Sequence, residues 1–316
     1  MLSEEALIDR FFAALGAARR DVAMGVGDDG AVLDLPPGQQ LVCVVDTLNE
    51  GVHFPPGTPP DALGHRLLAV NLSDLAAMGA NPAWATLSLS LPAAEEAWLG
   101  DFARGLGALA EQHGVSLVGG DTVRGPLSLS LQALGFLPSG QALTRQGARP
   151  GDAVFVSGRL GAAAAGLRAL GEGERSGALV DAFLWPRPRV ELGLALRGLA
   201  SAAIDVSDGL LTDLGRLVTA SDCGASVETE SLPLADEALA YCGEAEARRL
   251  ALTGGDDYEL CFTIPAAAQG ELERRLEDSP VPITHIGEIE PEPGLRLAGA
   301  PPDLPDGWTH FGGKIQ

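Results

Sequence analysis

NPAWATLSLSLPAAEEAWLGDFARGLGALAEQHGVSLVGGDTVRGPLSLSLQALGFL, residues 81–137, decides the fold class. Trp84–Leu91 and Leu127–Leu137 read as strands, and Ser116–Val118 as a third, shorter one. Glu95–His113 reads as a helix between them. Upstream, Ala62–Met78 reads as a helix, and Ala31–Leu35 and Leu41–Val45 as strands. Ser3 reads as the N-cap of a first helix, with Leu7, Ile8, Phe11, Phe12 and Leu15 at helical spacing. Strands that neighbour one another in sequence argue for α+β layers over a doubly wound sheet.

The break Ala148-Arg149-Pro150-Gly151-Asp152 divides the chain into domains 1–147 and 148–316. In the second part Val154–Ser157 and Glu259–Ile264 read as strands, and Ala162–Leu170, Val190–Leu199 and Gly209–Ala220 as helices. Gly171–Gly177 and the proline-rich tail Pro291–Gly307 read as loops. A length of 316 residues suits two domains.

Aromatic residues make up only 5% of the chain, so Ala, Leu and Val must fill the core. A net charge of −22 argues against nucleic-acid and anionic-membrane partners, which need basic surface. No apolar run approaches the roughly 20 residues of a membrane span. The acidic N-terminus lacks the basic region of a signal peptide. None of the four cysteines forms a C-x-x-C pair, and a reducing cytoplasm is the simplest setting. Cys43 and Cys261 lie in apolar runs and read as buried thiols.

Small acidic motifs carry the chemistry. They are Gly27-Asp28-Asp29-Gly30, Val45-Asp46-Thr47, Leu72-Ser73-Asp74, Gly119-Gly120-Asp121, Asp205-Val206-Ser207-Asp208 and Gly254-Gly255-Asp256-Asp257-Tyr258-Glu259. Carboxylates beside glycines suit hard divalent cations, which take oxygen ligands. The only lysine is Lys314, so a triphosphate cannot be held by the usual lysine and would be held through Mg²⁺.

Each motif has a plainer reading. Gly25–Gly30 matches G-x-G-x-x-G, yet no strand clearly leads in and two carboxylates would repel a pyrophosphate. An acidic turn is its alternative. Asp46 and Asp74 read either as ligands or as a cap and an ion pair, and Gly119–Thr122 either as a phosphate approach or a tight turn. Ser207 and Asp208 precede a helix whose free N–H groups suit an anion, although Asp208 also serves as an N-cap. Asp213 reads as solvated. Arg145 reads either as a phosphate fork or as a surface arginine, and His53 either as a site residue or as a structural histidine.

Together these residues resemble the thiamine-monophosphate kinases, in the superfamily that includes aminoimidazole-ribonucleotide synthetase. The resemblance runs from about Gly25 to Gly312. It is most specific at Asp46–Phe54, at Asn71–Ala80 and at Gly254–Leu260. It implies a two-domain α/β fold whose N-terminal sheets pair into a barrel in a homodimer. It implies Mg²⁺ at Asp29, Asp46, Asp74, Asp121, Asp205 and Asp208, with ATP against Gly120, Asp121, Arg145 and Ser207. It implies a thiamine monophosphate pocket lined by His53, Asp256 and Trp308. The activity implied is transfer of the ATP γ-phosphoryl to thiamine monophosphate in a cytoplasmic enzyme of thiamine diphosphate synthesis. Two departures stand out. Val44-Val45 replace the family's Ser-Thr, and Asp256 replaces its glutamate. Selenide chemistry lacks an N-terminal reactive cysteine here, and hydrogenase maturation lacks a C-terminal one.

Overall fold

A computed structural model describes residues 4–299. It divides into two compact units, each described by itself. The first takes the chain up to Leu75 with Ala80–Gly140; the second takes Ala76–Gly79 and the chain from Gln141 onward.

The first unit contains α1 (Glu4–Phe11), β1 (Val22–Met24), β2 (Val32–Leu33), β3 (Gln39–Asn49) and α2 (Pro60–Ala77), whose last two residues fall in the second unit. It continues with β4 (Asn81–Leu91), α3 (Glu96–Gln112), β5 (Ser116–Arg124) and β6 (Ser128–Pro138). Four strands form a mixed sheet in the order β3-β6-β4-β5, with β4–β5 parallel and the other pairs antiparallel. Because side chains alternate, Leu87, Leu89 and Leu91 of β4 and Leu129 and Leu131 of β6 are buried on one face. The reverse face carries Cys43, Thr47, Ser88 and Ser130 and is more open.

The second unit contains β7 (Ala153–Ser157), α4 (Ala162–Gly171), α5 (Ala178–Leu184), α6 (Val190–Leu196), β8 (Ala202–Val206), α7 (Leu210–Ala220) and β9 (Gly224–Glu228). It ends, among the described residues, with α8 (Asp236–Cys242), α9 (Glu244–Thr253), β10 (Glu259–Ile264), α10 (Gln269–Leu276), β11 (Ile283–Glu290) and β12 (Gly294–Ala298). Six strands run in the order β12-β9-β11-β7-β10-β8, all antiparallel except β12–β9. Val154, Val156, Ile204, Val206, Leu214, Leu217, Cys261 and Ile289 sit in its core.

Several sequence expectations change. The Pro291–Gly307 stretch contains strand β12, paired in register with β9. Ser116–Val118 is only the start of β5, so Gly119-Gly120-Asp121-Thr122 is strand and not a turn. Gly120 is there because a Cβ on it would overlap the Leu87 carbonyl oxygen of β4. Cys43 is exposed, on the open face of edge strand β3, whereas Cys261 is buried as expected. Ser3 and Trp308 lie outside the described residues.

Candidate active site

Asp28 and Asp29 occupy the exposed loop between β1 and β2, where the Asp29 N–H donates to Asp28 Oδ1 at 2.8 Å. A strand does lead into this loop, but β2 follows and no helix does. The dinucleotide cradle is therefore absent at this loop. Asp46 is half-buried on β3, and Asp74 is half-buried on α2 beside fully buried Asn71 and Ser73. His53 is held by its own turn, its Nδ1 accepting the Asn49 N–H at 3.0 Å.

The strand register fixes where Asp46 and Asp121 stand. Asp46 shares a row with Leu131, Leu87 and Gly120. Asp121 shares the next row with Ser88, Ser130 and Thr47. Adjacent rows face opposite sides of a sheet. The two carboxylates thus belong to opposite faces and to opposite edge strands, three strand spacings or roughly 14 Å apart. Among the described residues no three His, Cys, Asp or Glu side chains converge as a metal cluster.

The second unit does gather its motif residues. Asp205 is buried on β8, and β8 pairs with β10, with Val206 opposite Glu259. The loop before β10 folds back onto the loop before α7. The Asp256 N–H donates to the Ser207 carbonyl and the Tyr258 N–H to the Val206 carbonyl, both at 2.8 Å. Asp205, Ser207, Asp208 and Asp256 therefore share one corner. Arg145, by contrast, is exposed, and its carbonyl accepts a bond from Ser221 Oγ at 2.9 Å.

Asp213 overturns its reading as a solvated residue. Its side chain is 1% exposed, and Oδ2 accepts the N–H groups of Ser207 (3.0 Å) and Asp208 (2.9 Å). Those N–H groups are consequently engaged and not open to an anion. Arg216 Nη1 bridges Asp213 Oδ1 (2.7 Å) and Asp208 Oδ2 (2.5 Å). A cation at Asp208 therefore meets a carboxylate whose Oδ2 already faces this guanidinium. The helical spacing of Asp213 to Arg216 was visible in the sequence; the return of its carboxylate to the loop was not.

Burial pushes the Asp213 carboxyl up to about 6, against hydrogen bonds that pull it down. The folded chain then holds a proton that the unfolded chain releases near pH 4. The associated stability, roughly 3 kcal/mol, is full below pH 4 and lost as pH rises through 6. We expect urea unfolding in a chelator to show stability falling across pH 4.5–6.5 less steeply in Asp213→Asn than in the parent. Identical slopes would refute this.

Sequence reasoning also missed a buried ion pair beside this corner. Glu259, 3% exposed, accepts from Ser157 Oγ (2.6 Å) and from Arg189 Nε (2.6 Å), with the Arg189 Nη2 as a second donor. Gly158, at φ 61°, is required there, because a Cβ would overlap the Glu259 carboxylate. Cys261 lies at this corner too, but burial pushes its thiol up to about 12, which leaves it inert.

The two units correspond to two known domains. AIR synthase related protein, N-terminal domain, matches residues 27–137, and AIR synthase related protein, C-terminal domain, matches residues 149–299. Thiamine-monophosphate kinase of Salmonella typhimurium is 47% identical over 318 residues, covering 98% of each chain. The crystal structure of thiamine-monophosphate kinase from Stenotrophomonas maltophilia K279a superposes with a TM-score of 0.85 at 49% identity. That match covers 89% of this chain and 92% of that one. AaThiL complexed with AMPPCP and TMP gives a TM-score of 0.79 at 33% identity, over 90% of this chain and 92% of that one. The two matched domains thus make this an AIR synthase-related protein. Within that class, the chain belongs to the thiamine-monophosphate kinase family.

Proposed function

We propose that this chain transfers the γ-phosphoryl group of ATP to the phosphate of thiamine monophosphate, giving ADP and thiamine diphosphate. End-to-end likeness to thiamine-monophosphate kinases carries the reading, and the acidic motifs of the sequence suit it. The acceptor phosphate is already an anion, so the barrier is the approach of two polyanions rather than removal of a proton.

Mg²⁺ fits the donor set, which is all carboxylate. Mg²⁺ binds through one or two carboxylates plus substrate phosphates, so a three-carboxylate cluster is not required. Asp29, Asp46, Asp74, Asp121, Asp205 and Asp208 would hold it. When bound, Mg²⁺ neutralises the phosphates and aligns them for in-line attack. Gly120, Asp121, Arg145 and Ser207 take ATP in this reading. His53, Asp256 and Trp308 take the acceptor in this reading. Valines at 44 and 45 remove two hydroxyl donors and leave every carboxylate present.

We also propose a homodimer in the cytoplasm. Among the described residues, β3 and β5 are the open edges of the first sheet, and long open edges call for a cover. Leu41 and Val45 are 51% and 63% exposed on the same face of β3 as Cys43. A second copy's sheet, closing a barrel, would bury that face. No helix among the described residues is long and apolar enough to cross a membrane.

The test is incubation of purified protein with ATP, Mg²⁺ and thiamine monophosphate, with products read by mass. ADP and thiamine diphosphate appearing together is the expected result. ATP bound without turnover would overturn it and favour a nucleotide-binding module; aminoimidazole-type acceptors would be tried next.

A further inference from the structure

Three non-glycine residues among those described have left-handed backbone, and two of them, Asp256 (φ 71°) and Tyr258 (φ 51°), flank Asp257. Such conformations persist only where the surroundings impose them, and they cluster where a side chain must be aimed. Here three restraints impose them. The Asp256 and Tyr258 N–H groups are tied to the Ser207 and Val206 carbonyls. The Asp257 carboxylate turns inward and accepts the Gly161 N–H at 3.0 and 2.9 Å, with a further bond from the Ala163 backbone. It thereby pins the loop to the start of α4, an element far away in sequence. The Tyr258 hydroxyl, on a residue 7% exposed, donates to Asp256 Oδ1 at 3.0 Å.

The doublet therefore divides its labour. Asp257 is half-buried with its carboxylate turned inward as an anchor, and desolvation pushes that carboxyl well above the usual range while the two backbone bonds oppose this. Asp256 is half-buried and aimed by its neighbour. Aspartate is favoured over glutamate in left-handed backbone, so the shorter acid at 256 suits this loop.

We propose that Tyr258 and Asp257 are positioning residues for the acceptor. They fix the Asp256 carboxylate in the single orientation that meets the cationic thiamine moiety. This rests on the phosphotransfer reading above.

The experiment is steady-state kinetics on Tyr258→Phe, varying each substrate with the other saturating. We expect KM for thiamine monophosphate to rise about tenfold, with KM for ATP within about twofold and the thermal midpoint unchanged. On an Asp256→Ala background, Tyr258→Phe should then change nothing further, since there is no carboxylate left to aim. Asp257→Asn should move the same acceptor KM; should it fail to fold, Tyr258→Phe and its cycle decide alone. An unchanged acceptor KM in an active Tyr258→Phe protein overturns the positioning role and leaves the phosphotransfer reading intact. A parent protein that makes no thiamine diphosphate overturns both.

Discussion

Arg189→Met lowers the thermal midpoint by roughly 6–12 °C, the equivalent of about 3 kcal/mol. Glu259 is the reason. Its side chain is 4% exposed and lies at the first residue of β10, where Arg189 supplies two of its donors. Methionine fills much of the arginine's volume but leaves the carboxylate in low dielectric with Ser157 Oγ as its remaining side-chain donor. Removing one member of a buried pair costs more than the pair itself contributes. The loss is no larger because Arg189 keeps 20% exposure and water can partly replace it. The second member tests the cause. Adding Glu259→Gln removes the uncompensated charge while keeping an acceptor for Ser157 Oγ, so R189M/E259Q should recover more than half of the loss. Thermal unfolding of the parent, R189M and the double variant decides. A double variant as unstable as R189M would mean that packing, not charge, is what the arginine supplies.

Regular side-chain patterns made much of this fold legible. Leu87, Leu89 and Leu91 alternate with Ser88 and Ser90, and that alternation alone gives β4 its buried face. The β5 glycines were misread because glycine carries no pattern. What keeps Gly119-Gly120 in a strand is pairing with Thr86 and Leu87 of β4, 33 residues back. Cys43 was misread for the opposite reason. Leu41–Val45 is apolar on both faces, which predicts burial on both faces; in the single chain one face of this edge strand is open. Asp213 illustrates a third limit. Its spacing identifies a helix position, but nothing local says that the carboxylate turns back to hold Ser207 and Asp208. At the site, residue types were readable one by one. Which of them meet depends on strand register, and register separates Asp46 from Asp121 while joining Asp205, Ser207 and Asp256.

That separation leads to the second large effect. Asp46→Asn and Asp121→Asn should each lower thiamine diphosphate formation about a hundredfold or more, with the fold retained. A triphosphate and its ions cannot bridge two carboxylates held three strands, roughly 14 Å, apart in one sheet when each metal–oxygen contact is about 2.1 Å. If both carboxylates serve one reaction, they must come from different copies. The open edges β3 and β5 make this possible, because a β3 edge of a second copy beside this β5 edge would cut the separation of their strands from three spacings to one. The consequence is complementation. A mixed dimer of one Asp46→Asn chain and one Asp121→Asn chain has one site lacking both carboxylates and one site with both intact. Random re-pairing makes half the dimers mixed, so about a quarter of the parent activity should return on mixing two inactive proteins after reversible dissociation. Sites built within one chain would each keep a lesion, and mixing would restore nothing. Recovery to about a quarter supports sites assembled across the sheet edges. No recovery, in mixtures shown by mass to contain the mixed dimer, removes that assembly and requires Asp46 and Asp121 to act on separate ions.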